Sequence, residues 1–241
     1  MSRAARAAWL GWWRTRQRYH RYRVSGLEHL LEGGPKLIVG YHGKPIAHDL
    51  CMLQVALHDR LGYLPHPVFH AYFGANPMLR GLSDALGFVT GDGEDMAAAI
   101  NRGEHIMVTP GGTREGCRST RHRYRVDWGR RTGYLRLALK YGLPIVPVAA
   151  RGTDDLYLGL NDGYRTGKRL GAPAGLPVWI GLGVVGAWPL AVPFPARIRQ
   201  VVGAPIDLTA DGPVDAGDRD VLSALHARVT GTVQALLDDA R

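Results

Sequence analysis

Residues 36–50 read KLIVGYHGKPIAHDL. The first six are a short apolar run of β-prone side chains, which predicts a buried strand over 36–41. The run ends at His42 and Gly43, and a helical pattern begins at Asp49 and continues to residue 61. Further strands are expected over 66–71, 87–90, 105–109, 144–149 and 198–203. Helices are expected over 77–86, 94–101, 131–141 (closed by Gly142) and 218–239. Strand–helix alternation of this kind predicts an α/β fold, with a central mostly parallel sheet flanked by helices. His42 then stands at the C-terminal end of a sheet strand, where open α/β sheets place their sites.

The chain has 241 residues, of which 46% are apolar and 21% charged. That is enough apolar content to fill a core and excludes disorder as the main state. Two cysteines, Cys51 and Cys117, exclude a disulfide framework and a four-cysteine zinc site. No G-x-S-x-G elbow and no Walker loop are present. His66 and His70 are four apart, but Pro67 between them and the strand pattern make them ordinary sheet residues. The segment GLGVVG at 181–186 has the form of a dinucleotide fingerprint. Trp188 and Pro189 follow it where a helix is required, so nucleotide binding is not expected.

The net charge of +9 is unevenly spread. Residues 1–27 hold seven arginines and no acid, whereas 205–241 hold seven aspartates against three arginines. A basic, asymmetric chain suits an acidic partner. No apolar stretch of signal-peptide length follows Arg3 and Arg6. Instead Trp9, Trp12, Trp13 and Tyr19 share a helical face with Ala5 and Ala8. Arg3, Arg6, Arg14, Arg18 and Arg21 fall on the other side, with Arg16 the exception. The expected organisation is a basic amphipathic N-terminal helix over 1–27 and a domain over 28–241. Residues 2–22 are expected to lie on an anionic membrane surface, the protein being cytoplasmic and peripheral on the inner face, with nucleic acid excluded as a partner. Packing of the helix on its own domain is the alternative. Residues 176–194 carry no charge, yet Pro177, Pro189, Pro193, Gly181, Gly183 and Gly186 interrupt them too often for a membrane-spanning helix. A buried hairpin or a membrane-dipping loop is expected there.

Two clusters offer chemistry. His42 is followed seven residues later by Asp49, and a histidine held by a carboxylate is a poised general base. A His–Asp pair in a loop is also often incidental. Residues 110–116 read PGGTREG after a predicted strand. Backbone amides at Gly111 and Gly112, with the charge of Arg114, suit an oxyanion hole or a phosphate cradle, or else a plain tight turn.

At these residues the sequence resembles the glycerolipid and lysophospholipid acyltransferases, and most closely the mono/diacylglycerol acyltransferase-like branch. The matching blocks are GYHGKPIAHD (40–49), TPGGTREG (109–116), RRTGYLRLALKYGLPIVPV (130–148) and VVGAPI (201–206), in order. The resemblance implies transfer of an acyl chain from a thioester to a hydroxyl, with no cofactor beyond acyl-CoA or an acyl carrier protein as co-substrate. It implies an acyl thioester and a lipid or alcohol acceptor as partners. It makes His42 the catalytic base and Asp49 its orienting acid, sets Gly111 and Gly112 near the reacting carbonyl, and has Arg114 and Glu115 line the acceptor site. Arg118 and Arg121, with Arg123 and Arg125, would hold phosphates of coenzyme A or lipid, or else form a solvated basic loop. A thiolate leaves readily, so no metal is expected. Two departures stand out: six residues separate His42 from Asp49 where the family commonly has four, and Gly111 replaces the glutamate of the usual E-G-T-R. The block GFVTGD (87–92) also lacks an arginine that phosphate-acceptor enzymes carry. These differences favour a neutral alcohol over glycerol phosphate. A catalytically altered lipid-binding protein and a thioester hydrolase are the alternatives.

Overall fold

The computed structural model describes residues 3–69, 88–90, 93–172 and 176–240. Its core is a seven-stranded sheet. The strands are β1 (Arg23–Ser25), β2 (Leu37–Gly40), β3 (His66–Phe69), β4 (Val89–Thr90), β5 (Ile106–Val108), β6 (Ile145–Arg151) and β9 (Arg199–Val202). They lie in the order β1-β9-β6-β2-β5-β3-β4. Every neighbouring pair is parallel except β6 with β9. Two further short strands, β7 (Leu158–Gly159) and β8 (Gly181–Leu182), pair antiparallel beside it.

Alternation along the strands sorts the core into two layers. Leu37, Val39, Ile106 and Ile145 face α4 (Glu94–Asn101), α6 (Gly133–Tyr141) and α8 (Arg219–Asp239). Ile38, Met107, Val146 and Val148 face the opposite side, against α2 (Glu28–Leu31) and Leu50, Leu53 and Leu57 of α3 (His48–Leu61). Strands β2 and β6 are buried throughout or nearly so, as apolar runs covered on both faces require. Local signals close the helices where expected. Asp218 caps α8 by accepting from the Asp220 and Val221 amides, and Gly142 ends α6 at φ +61°. The helix expected over 77–86 and His70 lie outside the described residues.

The N-terminal helix α1 (Arg3–Tyr19) forms as expected, but its aromatic face is spent on the domain. Trp13 is fully buried, 5.2 Å edge-on to His48, and Trp9 donates to Gln54 Oε1 at 3.3 Å. Gln17 donates to the Met52 carbonyl and Arg14 pairs with Asp59 of α3. Trp12 alone of the three tryptophans stays exposed, under the Arg16 guanidinium. β1, which falls within residues 1–27, is a strand of the main sheet. Residues 176–194 form neither a span nor a buried hairpin: Val178, Ile180, Val184, Val185, Leu190 and Val192 are all exposed. No helix among the described residues is long and apolar enough to cross a membrane.

Candidate active site

His42 stands two residues past β2, at the C-terminal edge of the sheet's central strand. Its Nδ1 lies 3.1 Å from the Gly43 carbonyl. A carbonyl only accepts, so this contact places the imidazole proton on Nδ1 and leaves Nε2 as the basic nitrogen. Burial pushes the imidazole pKa down to about 4, so the ring is neutral at pH 7. The ring packs against Gly116 and the Pro45 carbonyl: a Cβ on Gly116 would meet His42 Cε1 at 2.5 Å and Pro45 O at 2.7 Å.

Asp49 reaches the same place from the first turn of α3, but not by touching the imidazole. Its Oδ1 accepts the Gly43 amide at 3.3 Å, and its Oδ2 is buried with no hydrogen-bond partner among the described residues. The extra residues between His42 and Asp49 are taken up by a turn that the Ala47 amide closes on the Gly43 carbonyl at 2.9 Å, with Ala47 at φ 51°. Gly43 thus accepts from His42 and donates to Asp49, which links the carboxyl group to the imidazole through the backbone. Burial raises the Asp49 pKa to about 7. His48, adjacent in sequence, is buried between Trp13 and Tyr157, and burial pushes its pKa down to about 3. It belongs to the support, not to the accessible site.

The helical turn α5 (Gly112–Gly116) supplies the opposite wall. Glu115, expected to line an acceptor pocket, is fully buried. Oε2 accepts the His42 amide at 3.0 Å and the Trp128 indole at 3.1 Å, and Oε1 accepts the Asp127 amide at 2.7 Å. A carboxylate with its lone pairs committed in this way is a structural clamp on the His42 backbone. Arg118, expected to grip phosphate, is also buried: it donates to the carbonyls of Glu115 (2.6 Å), His122 (3.3 Å) and Arg125 and stacks 4.8 Å from the Tyr41 ring. Its charge faces Glu115 and Asp154, and its bonds to the His122 and Arg125 carbonyls hold the loop 119–125. Gly111 and Gly112 do lie in a turn after β5, but the Gly112 amide donates to the Thr109 carbonyl at 3.0 Å, so it does not point free at an oxyanion. Arg131 ties the turn by donating to the Pro110 and Gly111 carbonyls at 2.9 and 2.6 Å.

Arg114 is partly exposed, paired at 2.8 Å with Asp127. It and an edge of Arg118 line an open cleft of about 830 Å³ with Arg125 and with Arg165, Lys168 and Arg169 of α7 (Gly163–Arg169). Asp127 and Asp162 are the acids in that lining, so the cleft is strongly basic. Arg121 is exposed outside it. Among the described residues no group of three or more His, Cys, Asp and Glu is placed to hold a metal.

Sequence reasoning missed the residues beneath the site. Asp154 is fully buried, accepts from the Tyr41 hydroxyl and the Tyr124 amide, and its carbonyl receives the buried Lys44 ammonium at 3.2 Å. Thr153 packs on Gly43, where a Cβ would meet it at 2.5 Å. The available signal was Gly152 to Asp155 (GTDD) directly after a strand, a turn with two acids that composition alone assigns to the surface.

Known proteins resemble the chain in sequence and in fold. The acyltransferase family model matches residues 21–151, which includes His42, Asp49 and the whole α5 turn. The chain is 27% identical over 227 residues to a bovine protein named "DGAT1/2-independent enzyme synthesizing storage lipids", covering 91% of this chain and 64% of that one. It is 28% identical over 228 residues to an uncharacterized protein of Mycobacterium tuberculosis, covering 91% of this chain and 61% of that one. The fold is similar to the crystal structure of the 1-acyl-sn-glycerophosphate (LPA) acyltransferase PlsC from Thermotoga maritima. That match has a TM-score of 0.53 at 17% identity and covers 95% of this chain and 79% of that one. With a family match over more than half its length, the chain belongs to the acyltransferase family, within the glycerolipid acyltransferase superfamily that its motifs resemble.

Proposed function

We propose that the protein moves an acyl chain from acyl-CoA or an acyl carrier protein to a hydroxyl of a neutral lipid or alcohol, at a membrane surface. The observation that carries this reading is the fixed tautomer of His42, which leaves Nε2 basic at the end of β2. Nε2 takes the acceptor hydroxyl proton as the oxygen attacks the thioester carbonyl. The tetrahedral intermediate collapses, the C–S bond breaks, and the thiolate receives the proton from the imidazolium. The basic cleft beside α5 suits the phosphates of a coenzyme A or phosphopantetheine donor. Gly111 in place of a glutamate, and the storage-lipid synthesis named for the bovine relative, support a neutral acceptor. The chain spans about two thirds of that relative's length or less, so the acceptor rests on this proposal.

Mass spectrometry of products after incubation with mixed acyl-CoAs and a panel of monoacylglycerol, diacylglycerol, long-chain alcohol and lysophosphatidate tests it. Acylated neutral acceptor is the expected product. Free acid alone would make the protein a hydrolase, and no turnover of any thioester would leave a lipid-binding fold.

Two variants check the positioning. Asp49→Asn keeps an oxygen that accepts the Gly43 amide, so kcat is expected to fall less than about tenfold, while Asp49→Ala, which removes that acceptor, falls further. Asp49 in the folded chain has a pKa raised from 3.8 to about 7. Its contribution to stability is therefore full below pH 3.8 and is lost as pH rises to about 7. Asp49→Asn is accordingly expected to melt higher than the parent at pH 8 and equally at low pH, read by thermal denaturation across pH. Gly116→Ala drives a methyl into the His42 ring. A displacement of about 1 Å at a reacting group costs up to roughly 100-fold, so kcat is expected to drop about ten- to a hundredfold with KM little changed.

A further inference from the structure

The aromatic face of α1 is buried, yet an acyl chain and a lipid acceptor must reach His42 from a bilayer if the proposed function holds, and the inference that follows rests on that reading. We propose that the protein docks on anionic membrane through a different face, made by the small β-excursion at 181–194 and an arginine quartet at the adjacent sheet edge. The excursion is a built hairpin: Val184 donates to the Val192 carbonyl at 2.8 Å and Val192 to the Val185 carbonyl at 3.0 Å. It nevertheless points its apolar side chains outward, with Leu190 91% and Val185 69% exposed. Soluble proteins rarely show so contiguous an apolar patch without a partner for it.

The charge beside it says which partner. Arg21, Arg23, Arg197 and Arg199 line one cavity of about 220 Å³ with no carboxylate among its lining residues. Arg23 stands directly opposite Arg199 on the paired strands β1 and β9, and Arg199 opposite Arg151 on β6. A row of cations of this kind attracts an anionic surface. The two halves are tied together. The Tyr19 hydroxyl donates to the Pro193 carbonyl at 2.8 Å and the Phe194 amide to the Leu156 carbonyl at 2.9 Å, which sets the hairpin base next to Arg21 and Arg197. Apolar side chains that enter the interface with arginines that meet phosphates are the composition of a peripheral membrane site. The face also has the right orientation. β6 runs parallel to β2, and its last residue, Arg151, pairs with the first residue of β9, so the quartet lies at the same end of the sheet as His42. The distance between β2 and β9 is two strand spacings, roughly 10 Å. Docking here turns the His42 end of the sheet to the lipid.

Co-sedimentation of the full chain with phosphatidylglycerol–phosphatidylcholine vesicles, against pure phosphatidylcholine, tests the surface. Val185→Asp with Leu190→Asp is expected to lower partitioning at least about tenfold. Arg23→Glu with Arg197→Glu is expected to lower it about fivefold or more per position on anionic vesicles only, and added salt should reproduce that loss. Circular dichroism melts confirm that both variants fold. Unchanged sedimentation of both, or loss confined to a Trp12→Asp variant, overturns the proposal. So does a dimer in sedimentation velocity that the hairpin variant abolishes, since the patch is then covered by a second copy. Turnover of a short-chain thioester with a water-soluble alcohol separates the two readings: both variants should retain it if docking alone is lost. Vesicle binding by a chain that never turns over a thioester sinks the catalytic reading and leaves the docking face standing.

Discussion

Replacing His42 by alanine is expected to lower kcat about 100-fold or more while the protein stays folded. A positioned general base contributes roughly 10²–10⁴ in rate, or about 3–5 kcal/mol of barrier. The variant gives up the ring's packing on Gly116 but breaks no hydrogen bond of the ring to a distant residue among those described, because Nδ1 bonds the next residue's carbonyl. The parent's pH profile carries a second signature. Burial holds the folded imidazole near pKa 4, below the ordinary 6.5, so kcat/KM should show no acid limb near 6.5 and should fall only as pH approaches about 4. The same depression means that the neutral ring's contribution to stability is full above pH 6.5 and is lost as pH falls through about 4. His42→Ala should therefore resist acid better than the parent between those values. Steady-state kinetics with a saturating thioester checks the rate, and turnover within about threefold of the parent removes His42 as the base.

Glu115→Ala is expected to have the largest effect on stability, about 3–5 kcal/mol, because it removes one member of a buried ionic cluster. The His42 and Asp127 amides and the Trp128 indole lose their acceptor, and Arg118 keeps its charge in the core without its partner at 3.4 Å. In a chain of this length that corresponds to a fall in Tm of roughly 6–20 °C. If Glu115 instead bound the acceptor, the variant would melt normally and show a raised KM. Thermal denaturation and an acceptor titration on the same preparation distinguish the two. Glu115→Gln keeps the shape but turns an amide toward donors, and should rescue only part of the loss.

The strand–histidine–helix frame was legible because it rests on local pattern. The run at 36–41 is apolar and β-prone, α8 has an Asp cap, and α6 ends at a glycine in the left-handed region. The four family blocks added the order of the site around that frame, and the strands and helices expected in the described residues form within or close to their ranges, whereas β1, α2, α5 and the β7–β8 pair had no such expectation. The side of the sheet that ends in β1 was harder. β6 and β9 run antiparallel, and β1 joins β9 across most of the length of the chain, neither of which a single stretch reveals.

Side-chain roles divided along the same line. The sequence by itself determined that His42 ends a buried strand and that a glycine-rich turn follows β5, since both depend on neighbours a few residues away. Only the tertiary structure decided that Asp49 serves Gly43, that Glu115 and Arg118 are buried, that α1 spends its tryptophans on α3 and that 181–194 is left facing outward. Those outcomes are set by contacts between distant residues, such as His42 with Glu115 at a separation of 73 and Tyr41 with Asp154 at 113. An acid or a tryptophan carries in its own sequence the chemistry it offers. Which partner covers it depends on what the rest of the folded chain brings to that point, because desolvation and pairing are properties of the packed environment and not of the residue.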